Sequence, residues 1–191
     1  MIESTFKFES YGTCHTRECS QQKASFLDLT PAILIFLESL KIQEALIPFL
    51  RQRYDLSADP LRIYGGTPRP QRQQHVDRFQ SGAEKEFDLM LLSPKAAGVG
   101  LTLTAANHVI HLSRWWNPAV EDQCTDRVYR IGQHRDVHVH IPAAVHPRHG
   151  EHSFDYNLHR LLEQKRALSL SVLAVAEPTS GDLDRLVDDS L

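Results

Sequence analysis

Arginine suits a phosphate partner because its guanidinium carries a permanent charge on a rigid fork of donors. Two arginines, Arg127 and Arg130, stand three residues apart in the stretch NPAVEDQCTDRVYRIGQ, Asn117 to Gln133. Asn117 suits a helix cap, Pro118 a first turn and Gly132 a stop, so the stretch predicts a helix of about three to four turns. At about 100° per residue, Val120, Cys124, Val128 and Ile131 share one sector, and Gln123, Arg127 and Arg130 share the sector beside it. Both guanidiniums then point the same way at the border of a buried face, where they could grip one anion. The same spacing also describes a solvated helix in which Arg130 pairs with Asp126, a contact worth about 0.3–0.5 kcal/mol. Spacing alone leaves both open.

Three other groups of residues could do chemistry. Ala96, Ala97, Gly98 and Gly100 make a small-residue turn whose backbone amides can approach an anionic ligand; a tight strand-to-helix connection has the same composition. The amides of Gly66-Thr67, at a helix start, suit phosphate as well as structure, and Arg69 and Arg72 after them either contact a nucleic-acid backbone or lie in water. Adjacent Trp115 and Trp116 are hard to bury on one face, so one stacks on a partner or nucleic acid, unless both join a local cluster. The three cysteines, Cys14, Cys19 and Cys124, are too few for a disulfide framework. No zinc-type spacing joins them to the histidines, and no metal site is expected.

The elements that must position these residues follow a regular alternation. Short apolar runs at Ala32 to Phe36, Leu61 to Tyr64, Phe87 to Ser93, His108 to Ser113 and Val137 to Ile141 read as strands. Helical spacing lies between them, at Leu40 to Leu50, in a helix capped by Thr67 and stopped by Gly82, and in the arginine stretch. Strands alternating with helices predict an α/β fold, a parallel sheet covered by helices on both faces, with ligands at the carboxyl ends of the strands. Ser153 can cap a long helix with Phe154, Leu158, Leu161, Leu162, Leu168 and Val172 at helical spacing. Residues 1–30 read as a poorly ordered lead-in, 31–150 as one domain, 151–176 as the added helix and 177–191 as a flexible acidic tail.

With 41% hydrophobic and 24% charged residues the composition is that of an ordinary soluble protein. A formal charge of -3 gives no global basic field, so any nucleic-acid contact must be local. No apolar run approaches the ~20 residues that span a bilayer, and no signal peptide opens the chain, which predicts a cytoplasmic location without membrane partners.

Gln123, Asp126, Arg127, Arg130, Ile131, Gly132 and Gln133 together resemble motif six of the Swi/Snf-like branch of superfamily-two helicases and DNA translocases. The stretch from Leu91 to Pro118 resembles motif five and its continuation, and the RIYGGTP segment resembles a loop that holds a DNA phosphate; the likeness spans roughly residues 32–175. Departures are Pro94, Lys95, Ala97 and Thr102, where the family has Thr, Arg, Gly and Asn, and Gly65, where it often has Asp or Asn. Lys95 keeps the charge.

The resemblance implies a RecA-like helicase C-terminal lobe followed by a brace helix. It implies Arg127 and Arg130 as arginine fingers toward ATP, with Gln123, Gly98 and Gly100 on the nucleotide side. Gly66, Thr67, Arg72, Lys95 and Trp116 would face double-stranded DNA. Family members hydrolyse ATP with Mg2+ between two lobes, the first carrying Gly-Lys-Ser/Thr and an Asp-Glu pair. Neither occurs here. The chain is therefore expected to need a first RecA-like lobe that lies in another chain or is missing from this fragment, the alternative being a non-catalytic module, a truncated gene product, that binds nucleic acid or protein.

Overall fold

The computed structural model describes residues 7–14, 32–82, 87–97 and 100–173. Five parallel strands form its centre: β2 (Ala32–Phe36), β3 (Leu61–Ile63), β4 (Asp88–Leu92), β5 (His108–His111) and β6 (His138–Val145). A further strand, β1 (Lys7–Cys14), pairs antiparallel with β6, and the order across the sheet is β1-β6-β5-β2-β4-β3.

Central β2 reads Ala-Ile-Leu-Ile-Phe with only Ile33 less than fully buried, as expected of a parallel strand covered on both faces. Side chains of alternate residues point to opposite faces of the sheet. Leu34, Phe36, Ile63, Met90, Leu92 and Val109 pack on one face with Val76 and Phe79 of α2 (Arg69–Gly82) and Cys124 of α4 (Pro118–Thr125). Ile35, Leu89 and Leu91 pack on the other with Leu46, Ile47 and Leu50 of α1 (Leu40–Arg53). A short α3 (Pro94–Ala97) follows β4, and the long α5 (Phe154–Leu173) lies against β6 and α4. No helix among the described residues is long and apolar enough to cross a membrane.

Three expectations need correction. The supposed lead-in contains β1, whose pairing partner lies over a hundred residues away and leaves no local signal. The arginine helix ends at Thr125, and beyond it the Arg127 carbonyl accepts from the Leu103 N–H at 2.9 Å. Beyond it the chain tightens into three-residue turns, Val128 N–H to Thr125 O and Gln133 N–H to Arg130 O, both 2.9 Å. Thr67 does not cap α2; its Oγ1 accepts from the Tyr64 N–H at 3.0 Å and closes the preceding turn. The Ser153 hydroxyl, just before α5, donates to Gly150 O at 2.6 Å and accepts from the His146 N–H at 2.8 Å. Residues 177–191 lie outside the described residues.

Candidate nucleotide and nucleic-acid site

Asn117 caps α4 as its sequence suggests: its extended backbone precedes Pro118 and its Oδ1 accepts from the Ala119 N–H at 3.1 Å. The helix buries Pro118, Glu121 and Cys124, whereas Val120 is half-buried and Ile131 is wholly exposed. The apolar sector read from the sequence is thus rotated, because the second half of the stretch, from Asp126 on, lies beyond the helix.

Arg127 and Arg130 consequently occupy a turn rather than one helical face. Arg127 is 6% exposed, its Nε has no hydrogen-bond partner, and no carboxylate of the described residues pairs with it. A buried guanidinium in that condition is costly, and an incoming anion would relieve it. Arg130 is exposed and held from below, its Nε donating to Asp126 O and its Nη1 to Thr102 Oγ1, both at 3.1 Å. The solvated alternative for Arg130 also fails in detail, since the Asp126 backbone, not its carboxylate, is the partner. Gln133 stitches the turn to the segment after motif five, its Nε2 donating to Thr104 O at 3.0 Å and Ala106 O at 2.7 Å.

Gly132 has φ 100° and Gly100 φ 56°, and a Cβ on either would meet nothing within 4 Å. Backbone conformation, not crowding, requires glycine at both. Gly100 is exposed beside Thr102, Gln123 is exposed on α4, and Gly98 lies outside the described residues. Cys124 is buried and its thiol is pushed up to about 12 by that burial, against the opposing pull of Arg127, so it is inert packing.

The remaining predicted residues sit at the carboxyl ends of β3, β4 and β5. Gly66 is exposed, and a Cβ there would come within 2.7 Å of the Tyr64 ring. Arg72 donates from Nη2 to Thr67 O at 3.0 Å, bracing the turn; its Nε is buried without a partner. Arg69 is exposed. Lys95 lies 3.7 Å from Glu38 Oε1 and 5.5 Å from the centroid of the Trp115 ring. Trp116 is 65% exposed, which removes the reading that both tryptophans are buried together. Lys165 of α5 sits 4.9 Å above its ring and donates to its carbonyl at 3.1 Å.

One group of residues escaped the sequence reading. Glu121, 3% exposed, accepts from Arg114 Nε at 2.9 Å and Nη2 at 3.2 Å, from the Trp115 N–H at 2.8 Å and from Arg166 Nη2 at 2.9 Å. Burial pushes its carboxyl up, but these donors outweigh it and hold the carboxyl below its ordinary range. The cluster fixes the tryptophan pair and α4 to α5. Its only local signal is an acid on the buried side of α4; the partner Arg166 lies 45 residues away. Among the described residues no group of three His, Cys, Asp or Glu is arranged to hold a metal ion.

A five-stranded parallel core with an arginine turn packed beside the motif-five segment defines a RecA-like α/β lobe. Residues 23–132 match the helicase conserved C-terminal domain family, and the chain belongs to it. It is similar to YwqA of Bacillus subtilis, 46% identical over 108 residues covering 56% of this chain and 11% of that protein. It is also similar to the Zorya protein ZorD of Escherichia coli, 38% identical over 154 residues covering 78% of this chain and 14% of that one. Among solved structures, the SWI2/SNF2 ATPase core domain of Sulfolobus solfataricus matches with TM-score 0.56 and 32% identity, over 76% of this chain and 27% of that one. The chain is the C-terminal lobe of a Swi/Snf-like superfamily-two helicase, and spans about a tenth of the length of these two relatives.

Proposed function

We infer that this lobe works as the second half of an ATP-dependent translocase on double-stranded DNA, with Arg127 and Arg130 meeting the γ-phosphate of ATP held by a first lobe. The single observation that carries this reading is Arg127: buried, without a carboxylate among the described residues, and with an Nε that nothing satisfies. A nucleotide phosphate has the charge and acceptor geometry that such a group lacks. Arg130, exposed beside Ile131, lies where an apolar contact with the first lobe would bring it to the same anion.

When bound, ATP with Mg2+ supplies the phosphoryl group whose transfer drives movement. The chain's own residues stabilise negative charge from one side, Gln123 and Gly100 lining the nucleotide side of the crevice. The exposed turn at Gly66-Thr67, through the Gly66 amide, holds the DNA backbone with Lys95, Arg72 and Trp116, so closure of the lobes shifts the duplex; the Thr67 N–H itself donates to Tyr64 O at 3.0 Å. The chain contains neither the Gly-Lys-Ser/Thr loop nor the Asp-Glu pair that would bind phosphate and magnesium, so it does not hydrolyse ATP alone.

The test is to mix the chain with a family first lobe and measure DNA-stimulated ATP hydrolysis. Wild type restores turnover, and Arg127→Ala or Arg130→Ala lowers it by about 10³. Turnover equal to wild type in both variants removes the arginines from the mechanism. The competing reading, a non-catalytic binding module, requires that no first lobe restores hydrolysis while duplex binding persists.

A further inference from the structure

Glu38 stands two residues beyond β2, at the carboxyl edge of the sheet, and its N–H donates to Ser113 Oγ at 3.0 Å. One carboxylate oxygen, Oε1, faces Lys95 Nζ at 3.7 Å. The other, Oε2, is shielded from solvent and has no hydrogen-bond partner. Lys95 lies within reach of both this carboxylate and the Trp115 ring, with 72% of its side chain exposed. The contact at 3.7 Å is too long for a hydrogen bond and leaves the carboxylate under-compensated. Glu38 therefore holds Lys95 by charge alone, loosely, at the carboxyl edge of the sheet.

We propose that Glu38 is a specificity-determining residue of the nucleic-acid face, a built-in competitor that a backbone phosphate must displace from Lys95. The inference rests on the reading of Lys95 as a DNA-backbone contact and deepens it. A phosphate that takes Lys95 leaves Glu38 beside a like charge, which disfavours capture of an isolated phosphate. Capture succeeds when the exposed Gly66 amide and Trp116 engage the same duplex. The competitor also changes the salt dependence. DNA releases a condensed cation when Lys95 neutralises a phosphate. The vacated Glu38 recruits a cation from solution, and part of the release is cancelled.

The experiment uses the full chain and a fluorescein-labelled duplex, with anisotropy titrations across a series of salt concentrations. Glu38→Gln, which keeps the shape and removes the charge, is expected to tighten binding by about two- to fivefold and to steepen the salt slope by up to about one. Glu38→Ala moves both in the same direction. In a Lys95→Ala background, which itself weakens binding, Glu38→Gln adds nothing. If Lys95→Ala weakens binding while Glu38→Gln leaves affinity and slope unchanged, this inference alone is overturned. A gain from Glu38→Gln that persists without Lys95 also overturns it, since the carboxylate would then repel DNA generally. If Lys95→Ala has no effect, or wild type does not bind duplex, the reading of Lys95 and the inference fall together.

Discussion

Two buried charged residues on neighbouring turns meet opposite fates. Glu121 accepts four hydrogen bonds from Arg114, Arg166 and the Trp115 backbone, whereas the Arg127 Nε finds no acceptor. Truncating one member of a satisfied buried pair costs about 3–5 kcal/mol, but replacing an unsatisfied charge by an apolar side chain of similar volume is neutral or favourable. Arg127→Met should therefore raise stability by about 1 kcal/mol in urea unfolding while abolishing any response to added nucleotide and first lobe. A loss of 2 kcal/mol or so, as for an ordinary core truncation, would mean that the guanidinium is already satisfied in the free lobe. Arg127 and Arg130 were visible in the sequence as candidates, because both lie in one continuous stretch. The role of Glu121 could not, since its main partners come from the end of β5 and from α5.

At the scale of elements, β5 carries two histidines, His108 and His111, on opposite faces of the sheet. Burial pushes each down to about 4; for His108 the neighbouring His138, His140 and Arg135 push the same way, while His111 also feels Glu121 and Asp122 in the opposite sense. The native state thus binds a proton only near pH 4, while the unfolded chain binds it near the ordinary 6.5. Between those values the unfolded state holds more protons, so stability is full above the higher one and drains away as pH falls toward the lower. His111, 2% exposed, stacked on Phe36 at 5.4 Å and 3.1 Å from Thr125 Oγ1, should dominate. From neutral pH to about pH 5 its contribution falls by about 2 kcal/mol, seen as a lower urea midpoint; His111→Phe should flatten that slope. An unchanged midpoint across this range would show that the ring charges freely. The strand itself was plain from His-Val-Ile-His between polar flanks, as were β2 and β4 from their unbroken apolar runs. The end of α4 was not; the Leu103 N–H that bonds the Arg127 carbonyl beyond it is remote in sequence.

The edges of the sheet are β3 and β1, and β1 covers what would otherwise be an open side of β6. β3 is three residues long, too short to template another strand. β6 runs eight residues but meets β5 only from His138 to His140. The His138 N–H points to the β5 side, donating to Asn107 O at 2.9 Å, and alternate residues along a strand repeat that direction. Beyond the end of β5, Pro142 has no N–H to satisfy and the Ala144 N–H donates to Asp155 of α5 at 2.7 Å. By the same parity the N–H groups of Val139, Ile141, Ala143 and Val145 face the opposite side, where their register partners are Thr13, Tyr11, Glu9 and Lys7 of β1. This is why a segment that looked structureless in the sequence forms a strand: the sheet presents it with a row of backbone groups that need partners. Removing residues 1–14 should leave that row open along Val139 to Val145, a stretch alternating with small and apolar residues that invites pairing with another copy. Light scattering on the shortened chain should then show concentration-dependent dimers or larger species, where the full chain stays monomeric. If the shortened chain also stays monomeric and loses less than about 1 kcal/mol in urea unfolding, α5 guards that edge and β1 is dispensable to the fold.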